Sequence, residues 1–459
     1  MQKVTAIFDI GKTNKKFFLF DSHFKEVYHE YTRFEEVEDD DGFLSEDLDK
    51  LVSWIKETFH TAIENPEFDV QSLNFSTYGA SLVHLDDNGQ LAAPFYNYLK
   101  PFPEDLKEQF LAAHGSLEEF QLDTASPFMG LLNSGLQLYY LKYRKPEIFK
   151  NIKRSVQFPQ YLSSLFTDQY FADYTSIGCH TGMWEYGNGK YASWLKKEGL
   201  DGLLDPVTSS QKSIPVQIGD KTVSVGLGIH DSSSALIPYM NGSEEEFTLI
   251  STGTWSICMN LYNHEQLTLD ELERDCLNFM NINGLSTKSS RLFLGKHLSE
   301  SARRLSDYYG VDYQSYKSIK WSGQFTSKRK SKNELLLDHS LVMPERFGFI
   351  NCEHPDYDLF DNYEDALTHL FDEITDIQIA SLKLALGNSG VKTIYVDGGF
   401  SASKVFIQFM ANKLPGYRIN STSFSLGSAL GAAIVVNHRK LPENFLKEVY
   451  NVKLHPAQL

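Results

Sequence analysis

The stretch VGLGIHDSSSALIPYMNGSEEEFTLISTGTWSICM, residues 225–259, decides how the rest of the chain is read. Its first half sets one acidic residue, Asp231, among small ones: Gly226, Gly228, Ser232, Ser233, Ser234 and Ala235. Small side chains let backbones and ligands approach closely, so a carboxylate in such a loop can reach a substrate. The second half is an apolar strand over 247–250, a hydroxyl-and-glycine turn, Ser251-Thr252-Gly253-Thr254, and another apolar run over 255–259. A glycine turn between strands presents N–H groups and hydroxyls to an anion, usually phosphate. A carboxylate followed about twenty residues later by such a turn suggests a base beside a phosphoryl donor. The same residues also read as a loop aspartate and an ordinary hairpin.

Working outward, residues 4–8 and 16–20 read as two strands of a hairpin around Asp9-Ile10-Gly11-Lys12-Thr13-Asn14-Lys15. Gly11 permits close approach, Thr13 and Asn14 offer polar side chains, and Asp9 at the strand end is suited to hold Mg²⁺ directly or through water. A turn-capping Asp9 is the competing assignment. The Gly-Lys-Thr triplet is not a P-loop, because the earlier glycine is missing and a β-type run follows where a helix is required. Strand–Asp-x-Gly-x-Thr–strand at 4–20 returns, one residue tighter, as strand–Ser-x-Gly-Thr–strand at 247–259. A repeat half a chain apart is expected of two related domains facing one cleft. The boundary is placed near Asn241-Gly242, giving units 1–241 and 242–459.

Composition narrows the partners. A chain of 459 residues with 42% apolar content has material for two or three domains, and no apolar run approaches a membrane span. A net charge of −17 argues against nucleic acid or an anionic membrane as partner. Cys179, Cys258, Cys276 and Cys352 have no CxxC spacing, which indicates free thiols. With no signal-peptide pattern at the start, the expected location is cytoplasmic. The expected partners are small molecules, with a homodimer left open.

Strand 73–76 leads into Tyr78, Gly79 and a second polar-aromatic segment, Tyr96-Asn97-Tyr98. Such residues at strand ends commonly line sugar pockets; Tyr96 and Tyr98 are equally readable as core or rim aromatics. The segment 172–182 is expected to be a hydroxyl-rich loop containing Asp173, and 205–218 to be irregular. Acidic 35–41 and basic 322–333 are expected to be solvated loops. Helices are predicted over 47–63, 136–142, 297–305 and 364–386, the last stopped by Gly387. A strand at 393–396 ends in Asp397-Gly398-Gly399-Phe400-Ser401-Ala402-Ser403 before a helix at 405–414. Glycines at that junction let a flat ring or phosphate lie against the backbone. The small-residue helix 426–433 is built for close packing.

These pieces together resemble the FGGY family of carbohydrate kinases within the actin-like superfamily. DIGKTN (9–14) and STGTWS (251–256) look like the two phosphate motifs, and GIHDSSSA (228–235) like the segment holding the catalytic aspartate. VDGGFSAS (396–403) is similar to the adenosine motif and LGSALGAA (426–433) to the C-terminal helix. The resemblance implies an α/β fold of two actin-like (ribonuclease H-like) domains flanking a catalytic cleft, and phosphorylation of a sugar hydroxyl with ATP and Mg²⁺. It implies Asp231 as catalytic base and Asp9 at the metal. Gly11, Lys12, Thr13, Asn14, Gly253, Thr254, Gly398, Gly399 and Ser403 would hold nucleotide; Tyr78, Gly79, Asn97, Asp173 and His230 would hold sugar. GIHDSSSA, STGTWS, NSGLQLYYLK (133–142) and SRLFLGKHLSESARR (290–304) look most like the L-rhamnulose and L-fuculose kinases. The chain departs from the family pattern at Tyr96-Asn97-Tyr98 and at Phe400. Competing functions are a xylulokinase-type enzyme, a nucleotide-gated sugar sensor, and a simple ATPase.

Overall fold

In the computed structural model, which describes residues 1–323, 325–422 and 426–458, two seven-stranded sheets carry the architecture. The first begins with an antiparallel meander of β1 (Gln2–Ile10), β2 (Lys15–Asp21) and β3 (Glu26–Thr32). Helix α1 (Leu48–Glu64) then crosses over to β4 (Phe68–Thr77), which runs parallel to β1. β5 (Ser213–Ile218), β6 (Lys221–Gly226) and the short β7 (Ile229–His230) complete the order β5-β6-β4-β1-β2-β3, with β7 also on β4. Helix α2 (Asp231–Gly242) leads out of it.

The second sheet contains β8 (Phe247–Thr252), β9 (Ser256–Asn260), β10 (Cys276–Met280) and β11 (Ser286–Leu292). After helices α3 (Leu294–Tyr309) and α4 (Tyr363–Leu386) come β12 (Thr393–Gly398), α5 (Lys404–Lys413), β13 (Arg418–Thr422), α6 (Gly427–Asn437) and β14 (Val452–His455). Its order is β10-β11-β9-β8-β12-β13-β14. The run β3-β2-β1-β4-β6 in one sheet matches β11-β9-β8-β12-β13 in the other, with identical strand senses. The expected duplicated α/β fold is therefore present.

Local sequence explains the elements. β1 and β4 are central and largely buried; β1 carries an apolar run over Ala6–Phe8, while β4 (FDVQSLNFST) buries polar Ser72, Asn74, Ser76 and Thr77 between its apolar residues. α1 buries Leu48, Leu51, Ile55 and Phe59 on one stripe, and the Asp47 side chain caps it by accepting from Lys50 N–H. Each such fully buried apolar side chain contributes about 1.5–3 kcal/mol. Helix α4 starts at the Asn362 cap and ends at Gly387, whose φ of 50° suits glycine.

Helices α2 and α6 lie between the sheets. One core joins Ile7 and Phe18 of the first sheet, Leu249 and Met259 of the second, Leu236 and Ile237 of α2, and Leu430 and Ala433 of α6. Their contact is so close that a Cβ on Gly431 would stand 1.9 Å from the Ser234 carbonyl oxygen. The Ser234 hydroxyl donates to the Ser428 carbonyl at 2.6 Å.

Several expectations need correction. The small-residue run at 231–235 is not a loop: it opens α2, because serines and alanine pack against α6 where larger side chains would not fit. Residues 213–218 are a strand paired with 221–226, and 174–177 form a short helix capped by Asp173. Ser251 and Thr252 end a strand, leaving the turn to begin at Gly253. The acidic segment is not simply solvated, since Asp39 is fully buried against Lys100, and Asp41 meets Lys100, Lys145 and the Tyr140 hydroxyl. Nor is the basic one: Arg329 is buried between Asp372 (2.6 Å) and Asp376 (2.5 Å) of α4. Charge pairing across distant segments, invisible in a local window, drives both outcomes.

Candidate active site

Both hairpins have their turns anchored by carbonyl contacts. In the first, Gly11 N–H donates to the Asn14 carbonyl at 2.9 Å. Buried Lys15 donates to the carbonyls of Gly11 (3.2 Å) and Lys12 (3.1 Å) and pairs with buried Glu46. Glu46 in turn accepts from the Tyr78 hydroxyl at 2.6 Å. The Lys12 ammonium meets Glu36 at 2.7 Å and Asn14 accepts from Arg33 Nε, whereas Thr13 is exposed. In the second, Gly253 N–H donates to the Trp255 carbonyl at 2.7 Å, and the Thr254 carbonyl accepts from the N–H groups of Gly295 and Lys296 at the start of α3. Gly295 is required there, because a Cβ would stand 1.9 Å from the Gly253 carbonyl oxygen. Gly253, Thr254 and Trp255 are exposed.

Lys16, Asp231, Thr252, Gly253, Asp397 and Ser428 line one cleft, of about 290 Å³, drawing on both sheets and both intervening helices. That volume is at the lower end for ligand sites, the scale of phosphoryl groups more than of a whole nucleotide. Asp231 is the first residue of α2, where Ser232 N–H donates to its Oδ1 at 2.5 Å. Its side chain is 34% exposed, yet desolvation and the neighbouring charge of Asp9 push its carboxyl up to about 7. The exposed part opens into the cleft. Asp9 is buried at the end of β1; Lys16 Nζ lies 3.2 Å from its Oδ2, and the Ser428 hydroxyl donates to Oδ1 at 3.0 Å.

His230 joins this group from below. Its Nε2 lies 3.2 Å from Asp231 Oδ1 and 3.1 Å from Cys179 Sγ, and burial lowers its pKa to about 4, so the ring is neutral near pH 7. Gly79 is packed here too, since a Cβ would meet Cys179 Sγ at 2.4 Å. Tyr98 is near enough to Asp231 that burial, then Asp231's charge, raises its hydroxyl to about 12. Other sugar candidates are occupied internally. Asp173 is fully buried and accepts from Thr175 N–H, Ser176 N–H and the hydroxyls of Thr175 and Ser210. Through Thr175, which accepts from His230 N–H at 3.1 Å, it braces His230. Asn97 donates to the Leu44 carbonyl and accepts from Leu99 N–H.

At the end of β12, Gly398 has φ 76° and a Cβ there would be 1.8 Å from the Thr252 carbonyl oxygen, so it serves close packing of β12 on β8. Gly399 has open space beside its Cα. Ser403 caps α5 by accepting from Phe406 N–H at 3.3 Å. Phe400 is core, packed on Phe406. Buried Asp397 is raised to about 7 by desolvation, with Tyr239 of α2 3.4 Å from its Oδ2.

Of the residues the sequence singled out, Asp231, Gly253 and Gly398 line this cleft and Asp9 and His230 adjoin Asp231, whereas Gly11, Lys12, Thr13 and Asn14 are not among its lining residues. Sequence reasoning missed Lys16, Ser428, Asp397, Lys15 and Glu46. The Lys15-Lys16 pair at the start of an apolar strand was the available signal, since buried lysines require partners.

Residues 4–201 match the model for the N-terminal domain of the FGGY family of carbohydrate kinases. A rhamnulokinase of Halalkalibacterium halodurans is 25% identical over 272 residues, 54% of this chain and 52% of that one, so the match spans about half of the relative's length. A carbohydrate kinase from Novosphingobium aromaticivorans has a similar structure (TM-score 0.78, 20% identity, covering 100% of this chain and 95% of that one). So does a ligand-bound xylulose kinase from Lactobacillus acidophilus (TM-score 0.78, 15% identity, 99% and 94%). At such identities the structural likeness establishes the two-domain fold.

Proposed function

Since this chain belongs to the FGGY family of carbohydrate kinases, we propose that it transfers the γ-phosphate of MgATP to a terminal hydroxyl of a ketose, L-rhamnulose foremost. The observation that carries the reaction is Asp231: a carboxyl raised to about 7, at the head of α2, in a cleft shared by both hairpins. A base poised near the working pH accepts a hydroxyl proton efficiently and aligns the oxygen for in-line attack. His230, neutral and 3.2 Å away, helps hold that carboxylate in place.

Positioning and charge stabilisation do most of the remaining work in phosphoryl transfer. In this reading the exposed hydroxyls of Thr13 and Thr254 are offered to phosphoryl oxygens, the N–H groups of Gly11 and Gly253 being used inside their own turns, and Lys16 adds a positive charge in the cleft. The site suits Mg²⁺: Asp9 presents hard carboxylate oxygens, and Mg²⁺ takes one or two carboxylates with phosphate oxygens and water completing its shell. When bound, the ion neutralises charge developing on the phosphates. Gly399, with open space at its Cα, would bed the adenosine, while Gly398 and Ser403 hold the backbone around it. In this assignment residues 1–241 carry sugar and the first phosphate turn, and 242–459 the nucleotide. Four unpaired cysteines fit a reducing, cytoplasmic setting.

L-rhamnulose is placed first because the segments around Asp231 and Thr254 resemble that subfamily and a rhamnulokinase is among the relatives; L-fuculose follows. A coupled ADP-release assay with a ketose panel is the test. Absence of turnover with every ketose, alongside retained nucleotide binding, would instead favour a sugar sensor.

A further inference from the structure

Arg291 is a buried cation that the chemistry above does not use. It lies on β11, 7% exposed, and its Nη2 donates to Asp275 Oδ1 at 2.7 Å. The same nitrogen is 2.9 Å from the sulfur of Met129, a residue from the other half of the chain. Its guanidinium carbon stands 5.4 Å from the ring centre of Trp255, the last residue of the second turn. Its charge helps lower the pKa of His180 and opposes the rise of Cys179, the thiol that touches His230. Arg291 is thus placed between the second phosphate turn and the cluster beneath Asp231.

A guanidinium carries five N–H donors. Here the recorded acceptors are one carboxylate oxygen and one thioether, and Nε is buried without a partner among the described residues. Buried unpaired donors are costly and scarce in native structures. Asp275 already balances the charge, so the missing partner is a neutral oxygen more than an anion. We infer that Arg291 is a sugar-binding residue supplied by the second half of the chain, its free Nε–H donating to a ketose hydroxyl other than the one attacked. This rests on the ketose-kinase assignment above.

The test uses the full-length protein and titrates L-rhamnulose by tryptophan fluorescence, with ADP affinity measured in parallel. Arg291→Lys keeps the charge but loses Nε and the planar fork. It should weaken ketose binding by about 10²-fold and leave ADP affinity within about threefold, the scale for losing a charged hydrogen bond. Unchanged ketose affinity overturns the inference, and equal loss of both ligands shows a merely structural role. Monodeoxy ketoses with the wild-type protein give a second measure that needs no variant. One deletion should weaken binding by about 10²-fold, the scale of the single charged hydrogen bond, and that cost should vanish in Arg291→Lys; no deletion costing above about threefold overturns it as well. Failure of the wild-type protein to bind any ketose would instead bring down the underlying assignment.

Discussion

At the scale of single residues, Asp231 answers two demands: exposed enough to meet a substrate, and desolvated enough to hold a proton near neutrality. A raised acid pKa means the charged base is depleted below about pH 7 and full above it. The kcat/KM of the free enzyme should therefore climb with pH through about 7 and level off beyond. Asp231→Asn should erase that limb and lower kcat by at least about 10²-fold while nucleotide still binds. A variant with nearly normal kcat would remove Asp231 from the mechanism. Asp9 makes a separate prediction, because both its oxygens are already aimed by Lys16 and Ser428. Asp9→Ala should raise the Mg²⁺ concentration needed for half-maximal rate and leave ketose affinity nearly unchanged. Lost sugar binding with normal Mg²⁺ dependence would contradict the assignment.

At the scale of elements, the two hairpins are held from behind and the two helices α2 and α6 from within. α2 presents Asp231 and α6 presents Ser428, so their separation sets the spacing of the site. Gly431 sits directly against the Ser234 backbone of α2. Gly431→Ala improves helix propensity by up to about 1 kcal/mol, yet overpacking typically costs about 1–3 kcal/mol. With the new Cβ facing backbone and not a flexible side chain, overpacking should win. We expect a lower melting temperature together with a lower kcat, whereas Gly416→Ala, in open space, should change neither. A fully active, fully stable Gly431→Ala protein would show that the helix spacing is not critical.

At the scale of the whole molecule, substrate choice is a matter of which groups the closed cleft leaves unpaired. A site built to pair hydroxyls rejects an analogue lacking one by about 10⁴-fold, whereas one methyl is worth about 10–200-fold. L-rhamnulose and L-fuculose should consequently be separated by hydroxyl stereochemistry, with non-deoxy ketoses only modestly disfavoured. Relative kcat/KM over L-rhamnulose, L-fuculose, L-ribulose, D-xylulose and glycerol measures this. A preference for D-xylulose or glycerol above about tenfold would retire the 6-deoxy-ketose assignment and leave the kinase assignment standing.

The duplicated fold was legible in the sequence because it is written in local signals. Apolar strand, glycine turn and apolar strand recur at both 4–20 and 247–259, and cap and stripe residues mark the helices around them. Asp9 and Asp231 stood out for the same reason, as lone carboxylates at the ends of short runs. What the sequence could not reveal depends mostly on partners outside any local window, from tens to hundreds of positions away. Ser428 reaches Asp9, Lys15 finds Glu46, Arg329 is drawn down onto α4, and Asp173, a local helix cap, is closed off by the Ser210 hydroxyl. Each is a charged or polar side chain whose role is set by what must neutralise or accept from it once buried. Only the tertiary structure supplies that partner, and with it the raised carboxyl of Asp231.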